Sequence, residues 1–266
     1  MRASLIQICV DPAESVDARR DRAVGLIRER SGSDLVVLPE LWTTGAFAFD
    51  HFGEHAEELR GPTFLALSEA ARDAGVWLHG GSIPEHDAEG RLYNTSLVFA
   101  PDGTLAASYR KIHRFGFDQG EAVLMGAGDR LVTVALPETT LGLATCYDLR
   151  FPEQFRGLVD AGAETLVVPA AGPPAAPPTG PCSPAPAPSR TRRTSWPAAP
   201  PHPRRNRTGR RSVVVDPWGE VLAEAGTDEE ILTVDFDPTT VAATRDRFPA
   251  LKDRRLGLAE PKELRP

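Results

Sequence analysis

The stretch Leu141-Gly-Leu-Ala-Thr-Cys146-Tyr-Asp-Leu-Arg-Phe-Pro-Glu153 decides the fold class of this chain. Residues 141–145 have the apolar character of a buried strand, and a helix is expected to follow Cys146. A thiol at a sharp turn from strand to helix presents its sulfur at the rim of a sheet, which is the geometry of a nucleophile elbow. The stretch therefore predicts an α/β protein that carries a cysteine nucleophile.

Two further segments place a chemically useful side chain at the end of a strand. Val36-Val-Leu-Pro-Glu40 ends in a carboxylate, and Ser108-Tyr-Arg-Lys111-Ile-His113 carries an ammonium. Alone, each residue has a plain structural explanation: a helix cap or surface charge for Glu40, a solvated strand end for Lys111 and a small buried apolar residue for Cys146. Together they supply a base, a charge stabiliser and a nucleophile, and they predict a thiol hydrolase.

The composition and net charge of the chain narrow the classes of protein and of partner that are possible. A chain of 266 residues with 41% hydrophobic and 25% charged residues fits one large globular α/β domain. A formal net charge of −7 argues against nucleic acid as a partner. The three cysteines form no paired framework or CxxC motif, which predicts a reduced, cytoplasmic protein. The apolar run at 1–10 is too short for a signal peptide or a membrane span and predicts a first strand.

Strands and helices are predicted to alternate along the chain, which is typical of sheets covered by helices. The apolar stripe of Val16, Ala23, Val24 and Ile27 predicts a helix, and a second helix is predicted over 62–72 with Thr63 as its cap. Further helices are predicted near 152–161 and 238–247. Strands are predicted at 35–38, 76–83, 93–100, 105–110, 131–136, 141–145, 164–169, 212–215, 220–224 and 231–236.

These landmarks, in this order, resemble the nitrilase (carbon–nitrogen hydrolase) superfamily. The segments at 38–42, 109–113 and 146–153 match its three catalytic motifs, and those at 94–96, 215–220 and 248–255 match secondary ones. The stretch after Cys146 looks most like the branch of omega-amidases and deaminated-glutathione amidases. The resemblance implies a four-layer α-β-β-α sandwich over 1–256, a charged tail at 257–266, and a homodimer or higher homo-oligomer.

The resemblance also assigns the site. Cys146 is expected to attack the carbonyl of a small amide as a thiolate whose pKa is lowered by Lys111 and by the nearby start of a helix. Glu40 is expected to move the protons and activate water, while Lys111 and the Tyr147 backbone N–H bind the oxyanion. Glu121 matches a second glutamate of the family. Amide substrate and water suffice, so neither a metal nor an organic cofactor is expected.

Neighbouring residues are expected to have structural roles. Asp148 and Arg150 are predicted to pair beside the elbow, and His113 is predicted to pack behind the catalytic residues. His51 and His55 lie in an acidic, surface-like stretch that predicts no metal site. Cys9 is predicted to lie in the core.

One segment disagrees with everything around it. Residues 171–211 contain no acidic residue and no Val, Leu, Ile, Met, Phe or Tyr, but twelve prolines between 173 and 203 and eight arginines between 190 and 211. Such proline density argues against a helix or a central strand. A structureless insert of this length is unusual inside a compact domain.

We hypothesise a pair of compensating frameshifts, near Ala170 and near 204–211, in the gene or in its sequencing. With GC-rich codons chosen for Thr179–Pro197, reading one base earlier can spell a helix and a strand similar to those of the family. The alternative is a genuine Pro/Arg-rich loop. The chain as written is expected to lack a central strand, a core helix and one wall of the pocket, and to be unstable or inactive, because each lost buried side chain costs about 2–5 kcal/mol.

Three functions remain open from the sequence. The first is an amidase acting on a small carboxylate-bearing amide, such as an omega-amide of a dicarboxylic acid. The second is a nitrilase or N-carbamoyl hydrolase with the same chemistry. The third is an inactive homologue that acts as an interaction protein, with Pro184-Ala-Pro-Ala-Pro188 as a polyproline II ligand.

Overall fold

The computed structural model describes residues 1–116, 118–171, 211–226 and 228–255, together with the backbone of a strand at 194–196. The strands are β1 (Arg2–Gln7), β2 (Leu35–Val37), β3 (Trp77–His86), β4 (Leu92–Phe99), β5 (Leu105–Arg110), β6 (Thr133–Ala135), β7 (Thr140–Leu143), β8 (Thr165–Val167), β9 (Thr194–Trp196), β10 (Val213–Val215), β11 (Val221–Glu224) and β12 (Glu230–Asp235). The helices are α1 (Val16–Arg28), α2 (Phe52–His55), α3 (Pro62–Ala74), α4 (Glu121–Leu124), α5 (Pro152–Asp160) and α6 (Thr240–Arg247).

The strands form two sheets of six. The first has the order β12-β1-β2-β3-β4-β5 and the second β11-β10-β9-β8-β7-β6. In each sheet two consecutive parallel pairings, β1-β2-β3 and β7-β8-β9, are flanked by antiparallel ones. The two sheets therefore share one pairing pattern.

Three apolar clusters separate four layers. One cluster joins α1 and α3 to the outer face of the first sheet through residues such as Ile27, Leu67 and Leu78. A second contains residues of both sheets, among them Leu5, Val98 and Leu143, and forms the layer between them. A third packs α5 on the second sheet through Phe155, Leu158 and their neighbours. This arrangement confirms the predicted α-β-β-α sandwich.

Local sequence signals account for most element boundaries. Ser15 caps α1 by accepting a hydrogen bond from the Ala18 N–H at 3.2 Å, and the left-handed Gly75 ends α3. The prediction of Thr63 as the cap of α3 was wrong. Gly61 holds that position, and the Thr63 hydroxyl donates to Glu57 at 2.6 Å.

The expectation that 171–211 holds no central strand was also wrong. Strand β9 lies between β8 and β10, parallel to the first and antiparallel to the second. Its three residues belong to the proline-free stretch between Pro188 and Pro197, so no ladder donor is missing there. The predicted missing helix, the missing pocket wall, the frameshift points near 204–211 and the polyproline ligand at 184–188 lie outside the described residues, as does the predicted tail at 257–266. Among the helices of the described ranges, none has the length and apolar character needed to cross a membrane.

Candidate active site

Glu40 lies just beyond β2, in a segment fixed to β3. The next residue, Leu41, has a left-handed φ of 45°, and its backbone N–H donates to the Ser82 hydroxyl at 3.0 Å. The Trp42 indole N–H donates to the Gly80 carbonyl at 2.9 Å. Because a residue with a side chain rarely adopts positive φ, this backbone is held in place by its surroundings. The Glu40 side chain is thereby buried at one end of the sheet.

Gly81 permits the close approach of this segment to β3. Its φ is 65°, and a Cβ atom at this position would lie 1.9 Å from the Pro39 carbonyl oxygen. Only glycine fits such a contact. The sequence at 80–81 is therefore needed to bring Glu40 against the sheet.

Lys111 follows β5 and joins two carboxylates. Its backbone N–H donates to the Asn94 carbonyl on β4 at 2.9 Å, which extends the ladder past the end of the strand. Its Nζ donates to Glu40 Oε1 at 2.7 Å and to Glu121 Oε2 at 2.6 Å. All three charged side chains are almost fully buried. The predicted Glu40 and Lys111 therefore meet, and Glu121 joins them.

Asn94 also donates to both carboxylates of this group. Its Nδ2 donates to Glu40 Oε1 at 3.0 Å and to Glu121 Oε1 at 2.6 Å. The two carboxylates thus share both an ammonium and an amide as donors. The Phe115 backbone N–H donates a further hydrogen bond to Glu121 Oε2 at 2.8 Å. The motif at 94–96 does not reveal this contact, because it depends on segments distant in sequence coming together in the fold.

Cys146 comes from the second sheet. It opens a 3₁₀ turn, Cys146–Arg150, after β7, and its φ of 44° is left-handed. Its backbone N–H donates to the Pro169 carbonyl at 2.8 Å. Its Sγ donates to the Ala171 carbonyl oxygen at 3.5 Å, and the N–H of the same Ala171 donates to Glu40 Oε2 at 2.8 Å. The predicted elbow is present, and its sulfur faces the Glu40 and Lys111 group.

Ala171 also contacts Glu40. Its backbone N–H donates to Glu40 Oε2 at 2.8 Å, so both oxygens of Glu40 accept hydrogen bonds. A backbone contact of this kind carries no side-chain signature and could not be read from the sequence.

Asp148 anchors the elbow to the first sheet. Its carboxylate accepts the Tyr109 hydroxyl at 2.6 Å, the Thr145 N–H at 2.8 Å and the His113 N–H at 2.9 Å. The His113 ring lies 2.8 Å from the same carboxylate. The predicted pairing of Asp148 with Arg150 was wrong, because Arg150 is exposed and makes no ion pair with the described residues. The predicted packing of His113 behind the catalytic residues agrees with this arrangement.

Charge and burial determine the pKa values of Glu40 and Lys111. Burial raises the pKa of Glu40 above its ordinary value, and the neighbouring Glu121 adds to this although Lys111 opposes it. Burial disfavours the charge on Lys111, but Glu40 and Glu121 outweigh it, and the pKa of Lys111 is raised. Lys111 is therefore a fixed cation, while Glu40 is a carboxylate with increased proton affinity.

The prediction that the pKa of Cys146 is lowered was wrong. Desolvation by the surrounding protein and the nearby Glu40 carboxylate raise the pKa of Cys146 well above that of a free thiol, and Lys111 only partly offsets them. The thiol keeps partial access to solvent. Cys146 therefore rests as a thiol beside a base, rather than as a preformed thiolate.

The other residues singled out in the sequence lie at the elbow, just after the first strand and on the surface. The Tyr147 backbone N–H lies at the elbow and has no acceptor within the described part of the chain, so it is available to an oxyanion. The prediction that Cys9 lies in the core was wrong, because its side chain is only partly buried just beyond the end of β1. His51, Glu54 and His55 come together on the surface, although the sequence predicted no metal site there.

Comparison with known proteins identifies the family. The family model described as carbon-nitrogen hydrolase matches residues 2–246. The chain belongs to the carbon-nitrogen hydrolase family. Omega-amidase NIT2 of Homo sapiens is 37% identical, with 97% of this chain and 96% of that protein covered. A 2-oxoglutaramate amidase of Paenarthrobacter nicotinovorans is 35% identical, with 94% of this chain and 88% of that protein covered.

A solved structure has the same fold. The crystal structure of Saccharomyces cerevisiae Nit3, a member of branch 10 of the nitrilase superfamily, aligns with a TM-score of 0.79 at 27% identity. It covers 96% of each chain. The resemblance to this superfamily predicted from the motifs is confirmed.

Proposed function

We propose that this chain hydrolyses the C–N bond of a small carboxylate-bearing amide through a thioester on Cys146. The observation that carries the proposal is that the Lys111 ammonium donates to the Glu40 carboxylate, while Ala171 hydrogen-bonds both to that carboxylate and to the Cys146 thiol. A base, a fixed cation and a nucleophile brought together in one site are what acyl transfer needs. The omega-amidase and 2-oxoglutaramate amidase relatives support an amide as the substrate.

In the first step, Glu40 takes the thiol proton as Sγ attacks the carbonyl carbon. The raised pKa of Cys146 makes this transfer necessary, and the raised pKa of Glu40 makes it easier. The tetrahedral oxygen then carries negative charge. Lys111 Nζ and the Tyr147 N–H bind it, an effect of about 3–4 kcal/mol for one well-placed donor.

In the second step, the intermediate collapses. Glu40 returns its proton to the leaving nitrogen, ammonia departs and a thioester remains on Cys146. Glu40 then takes a proton from water, whose oxygen attacks the thioester carbonyl, and the proton passes to the departing sulfur. Water, amide and protein groups balance the reaction, so no cofactor has to be added.

Glu121 and Asn94 act as positioning residues in this scheme. Glu121 and Glu40 both accept from Lys111 Nζ, at 2.6 and 2.7 Å, so Glu121 helps to fix the ammonium beside Glu40. Asn94 donates to both carboxylates and so reduces their repulsion. Donors fixed in this way keep Glu40 oriented.

Nitrilase and N-carbamoyl hydrolase activities use the same residues and are the alternatives within this chemistry. An N-carbamoyl substrate releases carbon dioxide together with ammonia, whereas an amide and a nitrile each release ammonia and a carboxylic acid without carbon dioxide. Product analysis therefore identifies the N-carbamoyl activity, and separate assays with the amide and with the corresponding nitrile distinguish the other two. The interaction-protein alternative depends on 184–188, outside the described residues, and predicts that loss of the Cys146 thiol leaves the cellular effect intact.

We also propose that residues 1–256 act as one domain in a cytoplasmic homodimer or higher homo-oligomer. Cysteines without a paired framework favour a reducing compartment. The oligomer rests on the family resemblance. Light scattering of the purified chain measures its mass, and a monomer at working concentration contradicts this proposal.

The deciding experiment compares purified Cys146→Ala with the wild-type chain on a dicarboxylic acid monoamide such as succinamic acid. We expect ammonia without carbon dioxide from the wild type and a loss of at least about 10⁴-fold in the variant, because the nucleophile is removed. Cys9→Ala is the matched control and is expected to keep full activity. Unchanged hydrolysis by Cys146→Ala, or no hydrolysis by a folded wild type, contradicts the proposal.

A further inference from the structure

A second group of ligand-type side chains lies on the surface, apart from the active site. His51 ends a 3₁₀ turn, Phe49–His51, and Glu54 and His55 follow in α2. The spacing i, i+3 and i+4 places all three on one face of consecutive helical turns. One ligand atom from each side chain lies within 4.8 Å of the other two. The His51 and His55 rings stack at 6.0 Å between centroids.

These three side chains are free of competing partners. Within the described residues, none of them takes part in an ion pair or a side-chain hydrogen bond. Solvent reaches all three, with His55 the most covered. They are therefore available to an ion from solution.

The backbone that carries them is fixed from the opposite side. Phe52, between His51 and Glu54, is fully buried in a cluster with Leu41 and Ala171, and its ring packs edge-on against Phe49 at 5.8 Å. The three ligands thus project from an anchored turn. A preformed arrangement reduces the ordering that binding requires.

We infer that His51, Glu54 and His55 form a surface site for a divalent transition-metal ion, with Zn²⁺ as the best match. Two imidazoles and a carboxylate are a donor set that suits zinc, and three protein ligands leave one tetrahedral position for water. Zinc–nitrogen and zinc–oxygen bonds of about 2.0–2.1 Å place neighbouring ligand atoms about 3.4 Å apart. The ligand atoms, within 4.8 Å of one another, have to approach by about 1.4 Å at most to reach this spacing. This site is independent of the proposed hydrolysis.

The test is calorimetric titration of the full chain with Zn²⁺. We expect one binding event that is weakened by at least about tenfold in His51→Asn and in His55→Asn, because loss of even an outer partner of a metal ligand costs about 10–100-fold. Glu54→Gln is expected to weaken binding as well. His86→Asn is the matched control and keeps the wild-type affinity, since His86 lies on β3 and contacts the Asp87 carbonyl. Mg²⁺, which prefers oxygen ligands, is expected not to compete.

A second measurement needs no substitution. Zn²⁺ is expected to slow modification of His51 and His55 by diethyl pyrocarbonate, measured by peptide mass spectrometry, while His86 reacts at an unchanged rate.

No zinc binding by the wild type, or binding that survives His51→Asn combined with His55→Asn, overturns the site. Binding that survives in that variant and is lost in Cys146→Ala assigns the ion to the thiol instead.

Discussion

The two sheets share one pairing pattern but differ in the length of their corresponding strands. In the first sheet, β3 contributes ten residues and pairs with both β2 and β4. Its counterpart in the second sheet, β9, contributes three residues between β8 and β10. The same topology is thus built once from long apolar strands and once around a short strand in a Pro/Arg-rich segment. From this difference we expect the first sheet to contribute most of the free energy of unfolding.

The two sheets also contribute unequally to the site. Glu40, Asn94 and Lys111 come from the first sheet, and Cys146 comes from the second. The elbow is nevertheless held by Asp148, whose partners include Tyr109 and His113 of the first half. The longer-stranded sheet therefore positions the nucleophile of the shorter-stranded one.

Proline substitutions in β3 and β9 test most directly whether the two sheets contribute unequally to the free energy of unfolding. Leu78→Pro in β3 removes a fully buried side chain and a ladder donor, and we expect a loss of at least about 5 kcal/mol and an unfolded chain. Ser195→Pro in β9 is the matched variant, and we expect a smaller loss because only three residues pair there. Denaturant titration followed by circular dichroism measures both. Equal losses contradict the unequal division of stability.

Lys111→Met tests the charged group of the first sheet. It leaves two buried carboxylates without their cation, and breaking a buried ion pair in this way costs about 3–5 kcal/mol. We expect this loss in the free energy of unfolding together with loss of amide hydrolysis. Lys252→Met, at an exposed position, is the control. A stable Lys111→Met chain would show that the carboxylates are neutral at rest.

Much of this first-sheet group could be predicted from the sequence. Glu40 and Lys111 each follow an apolar strand, and the order of the motifs around Cys146 indicates that they meet. The contacts of Asn94 and Ala171 could not be predicted, because they depend on which strand ends meet and on a backbone N–H. The partner of Asp148 was also missed, since His113 is 35 positions away in sequence, whereas Arg150 follows only two positions later. Local spacing identified the residue types, and packing between strands selected their partners.

Asn94→Leu tests the neutral donor in this group. Loss of two hydrogen bonds to charged acceptors is expected to lower kcat by about a hundredfold, or about 3 kcal/mol. Because the Glu40 carboxylate loses a donor, its pKa rises further, and the acid limb of the pH–rate profile shifts upward. The profile is the decisive measurement, since a purely structural role lowers activity without moving the limb. Asn94→Ser, which can donate one hydrogen bond, is expected to fall between Asn94→Leu and the wild type.

His79 offers a smaller and reversible test of the first sheet. It is fully buried on β3, and burial lowers its pKa from 6.5 to about 4. Between pH 6.5 and pH 4 the unfolded chain therefore binds a proton that the folded chain does not. The contribution of neutral His79 to the free energy of unfolding is fully present above pH 6.5 and is lost as the pH falls toward 4. We expect a loss of about 3 kcal/mol over this window. His79→Leu is expected to flatten the dependence, and His51→Leu, an exposed control, to leave it unchanged.

The division of the site between two sheets gives it a further property. The distance between adjacent residues along a strand is about 3.3 Å, which exceeds the tolerance of every hydrogen bond in the Glu40, Lys111 and Cys146 group. A slip of one sheet over the other by a single residue would separate sulfur from carboxylate while leaving both sheets paired and the apolar layer covered. The rate of amide hydrolysis is therefore sensitive to the alignment of the two sheets. With increasing denaturant, we expect activity to disappear before the circular dichroism signal changes.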